Sequence, residues 1–493
     1  MEKSSTKYKL FDLLVVFTYA VITLILIHYH EFWRDEAQQW LIVKNLSFID
    51  IIKQMKYEGH FLLWYLILMP FAKLGFPIIT ESIISWLILC CSVFLILKKA
   101  PFSYLYRVLF IFTTPVIYAY SVHSRSYSLI PLAIILCAMA YKNRKEKPFI
   151  YILSIVFLAN THIIMYGLIC ILILEYLIET IKERKILDKK QMQKRVFAFV
   201  LLFILLLLSV APLFGSLISN KDIKINNKFN YKKLKELFVF NPYTQFIYYY
   251  NGVFSNILIR ILLFVCTLNV LIYSFKNVKN IFFKIFFIVF FQWLIYVFIF
   301  GQSFLKGFSV SFIILFYVWT YKSGNKKNDI SKLERYLLEY SIIILLVLNI
   351  FNAEIWCFDE ISNNYSSSKE TAQFIEESIP EDSILISGNY PEICSSIMVY
   401  TDKVKFYNIK FDDYYSFVTW DSKIKIKLSN NFLDDIKSKF VDCENLYYIT
   451  NEYNKKETTA IKKYIDSGNL IELFKSKKAI DEEEVYTIYK INY

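Results

Sequence analysis

Along this chain, apolar runs of about 18–20 residues alternate with short polar connections, and runs of that length cross the roughly 30 Å hydrocarbon layer of a bilayer. Runs at 10–27, 78–97, 104–120, 127–141, 196–215, 253–274, 281–300, 308–321 and 336–352 each predict a span. The stretch 148–181 predicts two more that turn near Asn160-Thr161-His162, giving about eleven in all. Between the first two runs, 28–77 is expected to lie outside, with helices at 32–44 and 61–71 along the membrane surface. That placement governs every later loop. With the N-terminus inside, Lys98-Lys99, 142–147, 182–195, Lys276, Lys279 and 322–335 all fall inside, as the positive-inside rule requires. The polar loop 216–250 and the turn 301–306 then fall outside.

Beyond 352 the pattern changes to short alternating elements with more charge. Helices are predicted at 368–379 (Ser368 as N-cap), 391–400, 431–440 and 458–466, with strands at 382–386, 404–409, 446–450, 470–475 and 484–490. The expected architecture is an α-helical polytopic membrane domain, 1–352, followed by a small extracytoplasmic α/β domain, 353–493.

Composition supports this reading. The 493 residues are 56% hydrophobic, with a mean hydropathy of +0.40, too apolar for a water-soluble enzyme. The net charge of +13 sits largely in the short inner loops, so it reports topology and not nucleic-acid binding. The eight cysteines include no C-x-x-C pair, and five fall within apolar runs, which argues against a zinc site or a disulfide framework. A Lys-, Ile- and Asn-rich composition points to an AT-rich bacterial genome, and hence to a bacterial cell membrane.

The candidate chemistry gathers on the outer side. Asp35 and Glu36 follow the first span on a surface helix, where carboxylates also stabilise the positive end of the helix dipole. Asp35 is the candidate general base, since a carboxylate just outside the lipid can take a proton from an attacking hydroxyl. All five histidines, His28, His30, His60, His123 and His162, fall at the outer face in the expected topology. Interfaces favour histidine in general, but this one-sidedness also fits a shared polar cavity. Arg125 and Lys306 lie in outer turns and are candidates for a phosphate, with interfacial snorkelling as the alternative for Arg125. Glu58, His60 and His162 are candidate ligands for a divalent cation. Glu81 and Glu175 are expected to be satisfied within the bundle. The chain has no D-x-D triplet, G-x-G-x-x-G fingerprint or P-loop, so an outward-facing transferase must draw its activated group from a lipid carrier.

Arg34-Asp35-Glu36-Ala37, then Tyr57-Glu58-Gly59-His60 with Leu62-Leu63-Trp64-Tyr65, then Ser124-Arg125-Ser126-Tyr127, resemble the GT-C glycosyltransferases. The likeness is to the bacterial relatives of protein O-mannosyltransferases and of lipid A aminoarabinose transferase, and it covers the first seven or so spans. It implies the GT-C fold and an inverting transfer from a polyprenyl-phosphate sugar to an extracytoplasmic protein, lipid or glycan acceptor. It also implies Asp35 as base, Arg125 and Lys306 on the donor phosphate, and Glu36, Glu58, His60 and Tyr127 about the substrate. Lys306-Gly307 stands where close relatives are expected to carry an Arg-His pair. Two rival classes stay open: a transporter or flippase of lipid-linked glycans, and a non-catalytic anchor whose C-terminal domain binds a partner.

Overall fold

The computed structural model describes residues 2–213, 257–298, 304–324, 331–388, 390–420, 431–441, 443–451 and 455–492. The loop expected at 216–250, together with parts of the turn 301–306 and of the inner connection 322–335, lies outside the described residues.

Helix dominates as far as Ser362. Among the described residues, six helices are long and apolar enough to cross a membrane: Leu10–Tyr29, Ile79–Lys99, Ile163–Glu183, Lys189–Leu213, Ile257–Asn277 and Lys332–Ser362. Apolar side chains such as Leu13, Phe17, Phe203 and Leu208 are exposed on them, a pattern that fits solvation by hydrocarbon. The run at 104–120 is two helices, Tyr104–Ile111 and Pro115–Val122, bent by 50°. Hydropathy is continuous there, but Pro115 lacks an amide hydrogen and its ring clashes with the carbonyl four residues back, at Ile111, where the first half ends. Ser126–Tyr141 and Pro148–Ala159 are apolar but shorter. Lys279–Phe298 and Ser309–Ser323 occupy the runs expected at 281–300 and 308–321. The last long helix continues past its apolar run to Ser362.

The first connection holds three helices instead of two: Arg34–Asn45, Phe48–Glu58 and Leu62–Lys73. The middle one begins where the Ser47 side chain accepts from the Asp50 amide at 3.3 Å and ends at Gly59, whose φ of 67° suits glycine. Trp40, Ile42, Ile51, Met55, Trp64, Tyr65 and Leu68 of the three helices share one buried cluster. The connection is therefore a packed layer across one end of the bundle.

The C-terminal sheet has six strands: β1 Ile384–Ser387, β2 Lys405–Asn408, β3 Asp413–Tyr414, β4 Leu446–Asn451, β5 Leu470–Lys475 and β6 Tyr486–Ile491. Their order is β3-β2-β1-β4-β6-β5, with β1 parallel to β2 and β4 and the other pairs antiparallel. Both faces are covered. Leu385 and Ile449 pack with Ile375 and Ile397 on one side, while Ile384, Ile386 and Tyr448 pack with Phe432, Leu433 and Ile461 on the other. Leu41 of the first connection enters the former cluster, so the sheet domain and the helix carrying Asp35 share a core.

Candidate functional site

Asp35 lies in the first turn of Arg34–Asn45, where unpaired amides and the helix dipole favour an anion. Its Oδ2 accepts from Arg125 Nη1 at 2.5 Å. Arg125 sits in the link between the bent helix pair and Ser126–Tyr141, and its carbonyl accepts from the Ser128 amide at 2.9 Å. Its Nη2 lies 3.0 Å from His60 Nε2. Because a guanidinium only donates, His60 accepts through Nε2 and is the neutral Nδ1–H tautomer. The His60 ring is 5.9 Å from that of His162, which stacks on Tyr127 at 4.8 Å. The guanidinium also lies over Trp33 and Tyr127, at 5.7 and 5.4 Å from their centroids. Lys306, from the short helix Phe304–Gly307, is within electrostatic reach of Asp35, Arg125, His60 and His162. That turn is pinned by the Tyr120 hydroxyl, which donates to the Leu305 carbonyl at 2.8 Å.

Residues scattered from 35 to 306 thus converge in one recess. The Asp35 side chain keeps 37% of its surface exposed, while Arg125 keeps 7%, so the carboxylate is reachable and its partner is fixed behind it. Nearby, the buried Arg125 Nε, Tyr65 hydroxyl, Tyr127 hydroxyl and Ser126 Oγ have no hydrogen-bond partner among the described residues. Buried polar atoms are normally paired, and these are groups that a polar ligand can satisfy.

The charges follow from the packing. Burial pushes Asp35 up, but Arg125, then Arg34, His60 and Lys306, hold it below the usual carboxylate range. Burial, with Arg125, drives His60 down to about 3 against the pull of Asp35. Burial drives His162 well below its ordinary value. Burial and Arg125 lower Lys306 to about 8. Near neutral pH the recess therefore holds one carboxylate, one guanidinium, one ammonium and two neutral imidazoles.

Glu36 faces elsewhere. It is fully buried, with Oε1 accepting from the Ser124 amide at 2.5 Å and Oε2 from the Trp33 amide at 3.3 Å. His30 bridges it to Glu360 of the last long helix, with Nε2 3.0 Å from Glu36 and Nδ1 2.7 Å from Glu360. Tyr118 donates to the other Glu360 oxygen at 2.7 Å. Glu36 thus braces the backbone next to Arg125. Glu360 escaped sequence reading because the apolar run expected at 336–352 ends about two turns before it.

Glu58 accepts from Gln54 at 2.9 Å and from Gln38 at 3.2 Å. Burial carries it up to about 7, opposed by those two amides. Glu58, His60 and His162 do not form a ligand set: Glu58 faces the glutamines, and the Arg125 guanidinium sits on the His60 lone pair. Among the described residues no group of three or more His, Cys, Asp or Glu is arranged to hold a metal ion. His28 is exposed and stays apart from the other four histidines. The buried Glu81 accepts from Trp64 Nε1 at 3.0 Å, while the half-buried Glu175 accepts from the Tyr141 hydroxyl at 3.1 Å and pairs with Lys284.

No protein-family model matches this sequence, and no curated protein matches it.

Proposed function

We propose that the chain is a membrane-embedded inverting glycosyltransferase of GT-C type. It takes a sugar from a polyprenyl-phosphate donor and passes it to an acceptor hydroxyl on the outer face of a bacterial cell membrane, with its N-terminus cytoplasmic and its sheet domain outside. The observation that carries this reading is the placing of a reachable carboxylate, Asp35, against Arg125 with Lys306 close by. In the proposed reaction the acceptor oxygen bonds to the anomeric carbon and Asp35 takes its proton. The bond from that carbon to the phosphate oxygen breaks, and the electron pair leaves with the polyprenyl phosphate. Arg125 and Lys306 offset the growing charge on that leaving group, so electrostatic stabilisation takes the place of a general acid. His60 and His162, neutral, line the cavity.

The alternation of helix ends supports the eleven-span topology. The chain segments at 30–36, 60, 123–127, 162, 306 and 360 all meet at one end of the bundle. The transporter alternative needs a polar path through the helices, whereas the buried Thr114, Asn349 and Asn352 hydrogen-bond to one another.

The test is transfer from a panel of radiolabelled polyprenyl-phosphate sugars by purified protein with membrane extract. Incorporation from one donor supports the reading. Movement of intact lipid-linked sugar across liposomes, with no transfer, would point to the flippase.

A further inference from the structure

The C-terminal domain grips the chain on both sides of Asp35, by backbone at Phe32 and Arg34 and by the side chain at Gln38. The Phe32 amide donates to the Tyr400 hydroxyl at 3.0 Å, and the Phe32 carbonyl accepts from Ser368 Oγ at 3.0 Å. The Arg34 amide donates to Glu484 Oε1 at 3.1 Å, and the Arg34 guanidinium pairs with Glu483. Val418 takes the Gln38 side chain at both ends, its carbonyl accepting at 2.6 Å and its amide donating at 2.9 Å. The domain thus contributes from the start of Ser368–Ser378, from the turn after Ser395–Met398, from the segment after β3 and from the turn before β6. All of these contacts fall on 32–38, with Asp35 in the middle.

Glu484 is the fixed point among them. It is 1% exposed. Its second oxygen accepts from Ser366 Oγ at 3.0 Å, from Ser396 Oγ at 2.7 Å and from the Tyr486 hydroxyl. Its own domain therefore orients it before it reaches across. The amide it takes opens the helix Arg34–Asn45 and is among those that no intrahelical carbonyl can satisfy. The Glu484 carboxyl oxygen accepts that bond and so sets where the first turn begins.

We propose that the C-terminal domain is a positioning element of the recess, with Glu484 as the positioning residue that holds Asp35 in register with Arg125. The catalytic consequence rests on the reading of Asp35 as the base. The domain is then part of the transfer machinery and not an appended acceptor-binding module, since a misplacement of about 1 Å can cost on the order of 100-fold in rate.

The test uses the full chain in detergent or nanodiscs, comparing wild type with Glu484→Ala, Glu484→Gln and Tyr400→Phe. Gln keeps an acceptor for the Arg34 amide; Ala does not. Two readouts are independent of activity: hydrogen exchange in the 31–38 peptide, and the pH dependence of carbodiimide labelling at Asp35. In Glu484→Ala, exchange should rise roughly tenfold or more and the labelling midpoint should move to higher pH as the Arg125 contact loosens. The transfer kcat should fall roughly tenfold or more, with the KM for donor within about twofold. Gln should restore most of each, and Tyr400→Phe, which removes one hydroxyl, should move the same quantities less. Wild-type exchange and labelling in a folded Glu484→Ala or Tyr400→Phe protein would overturn the proposal. Absence of transfer by wild type from every donor would defeat the transferase reading alone, with exchange and labelling still deciding the positioning role.

Discussion

Asp35 and Arg125, 90 residues apart in sequence, meet at 2.5 Å, and in the proposed function the guanidinium that pairs with the carboxylate also receives the donor phosphate. The two functions are coupled. On the proposed reading, an arriving phosphate would compete for the guanidinium, weaken its hold on Asp35 and make that carboxylate a better base when the donor is bound.

The pairing fixes a pH dependence. Asp35 lies below its ordinary value of about 3.9. The ion pair therefore contributes stability above the unfolded pKa and loses it as pH falls through the lower folded one. Replacing Arg125 with Gln removes the largest force opposing burial, so the carboxyl should titrate at higher pH. Carbodiimide labelling of Asp35 across pH 3–7 measures this; an unchanged midpoint in Arg125→Gln would show that the pair does not set the acidity.

Lys306 gives the recess an alkaline limit. Its value of about 8 means that it carries a charge at neutral pH and loses it just above. Affinity for a short-chain polyprenyl phosphate should weaken as pH rises through about 8. Lys306→Gln should bind more weakly at pH 7 and show a flat profile over pH 7–9. Titration calorimetry on both proteins decides this, and a wild-type profile that is flat over the same range would remove Lys306 from the anion site.

His30 makes a prediction about the scaffold. Burial opposes its charge, but Glu36 and Glu360 outweigh that and hold it up at about 10. A raised folded value gives stability that is fully present below the unfolded value of about 6.5 and is lost as pH rises through about 10. Replacing His30 with Ala leaves two buried carboxylates without a cation, which should cost about 3–5 kcal/mol. Thermal unfolding in detergent should show a large drop in Tm for the variant at pH 7, and for the wild type on passing from pH 8 to pH 11. A variant with wild-type Tm would show that the His30 bridge does not stabilise the scaffold.

Much of this organisation is legible in the chain. The period-two and helical patterns after 352 locate five strands and four helical segments, because each has a local apolar rhythm and a turn on either side. The short strand β3 lacks that rhythm, whereas Phe48–Glu58 carries it in Phe48, Ile51, Ile52 and Met55, with Ser47 three residues before Asp50 as a start signal. Ser367, not Ser368, precedes the helix expected at 368, because the Ser368 hydroxyl is committed to Phe32. Four of the five histidines meet as two separate pairs, His30 with His123 beside Glu36 and His60 with His162 beside Arg125, a partition that one-sidedness alone does not show. What sequence cannot show is the grip between Gln38 and Val418 or between Arg34 and Glu484: these pairs are separated by 380 and 450 residues and leave no local signature. The brace from Glu36 to Ser124 and, through His30, to Glu360 is of the same kind, since 88 residues separate Glu36 from Ser124 and 330 separate His30 from Glu360.

The most direct test of the central claim is single-turnover sugar transfer by Asp35→Asn, beside wild type, after both are shown to fold and to bind the donor. Asn keeps the shape of the side chain and removes the site of protonation, so transfer should fall by about 100-fold or more, as expected for a missing base, while donor affinity stays close to wild type or improves as Arg125 is released. Equal transfer rates in the two proteins would contradict the claim that Asp35 is the base.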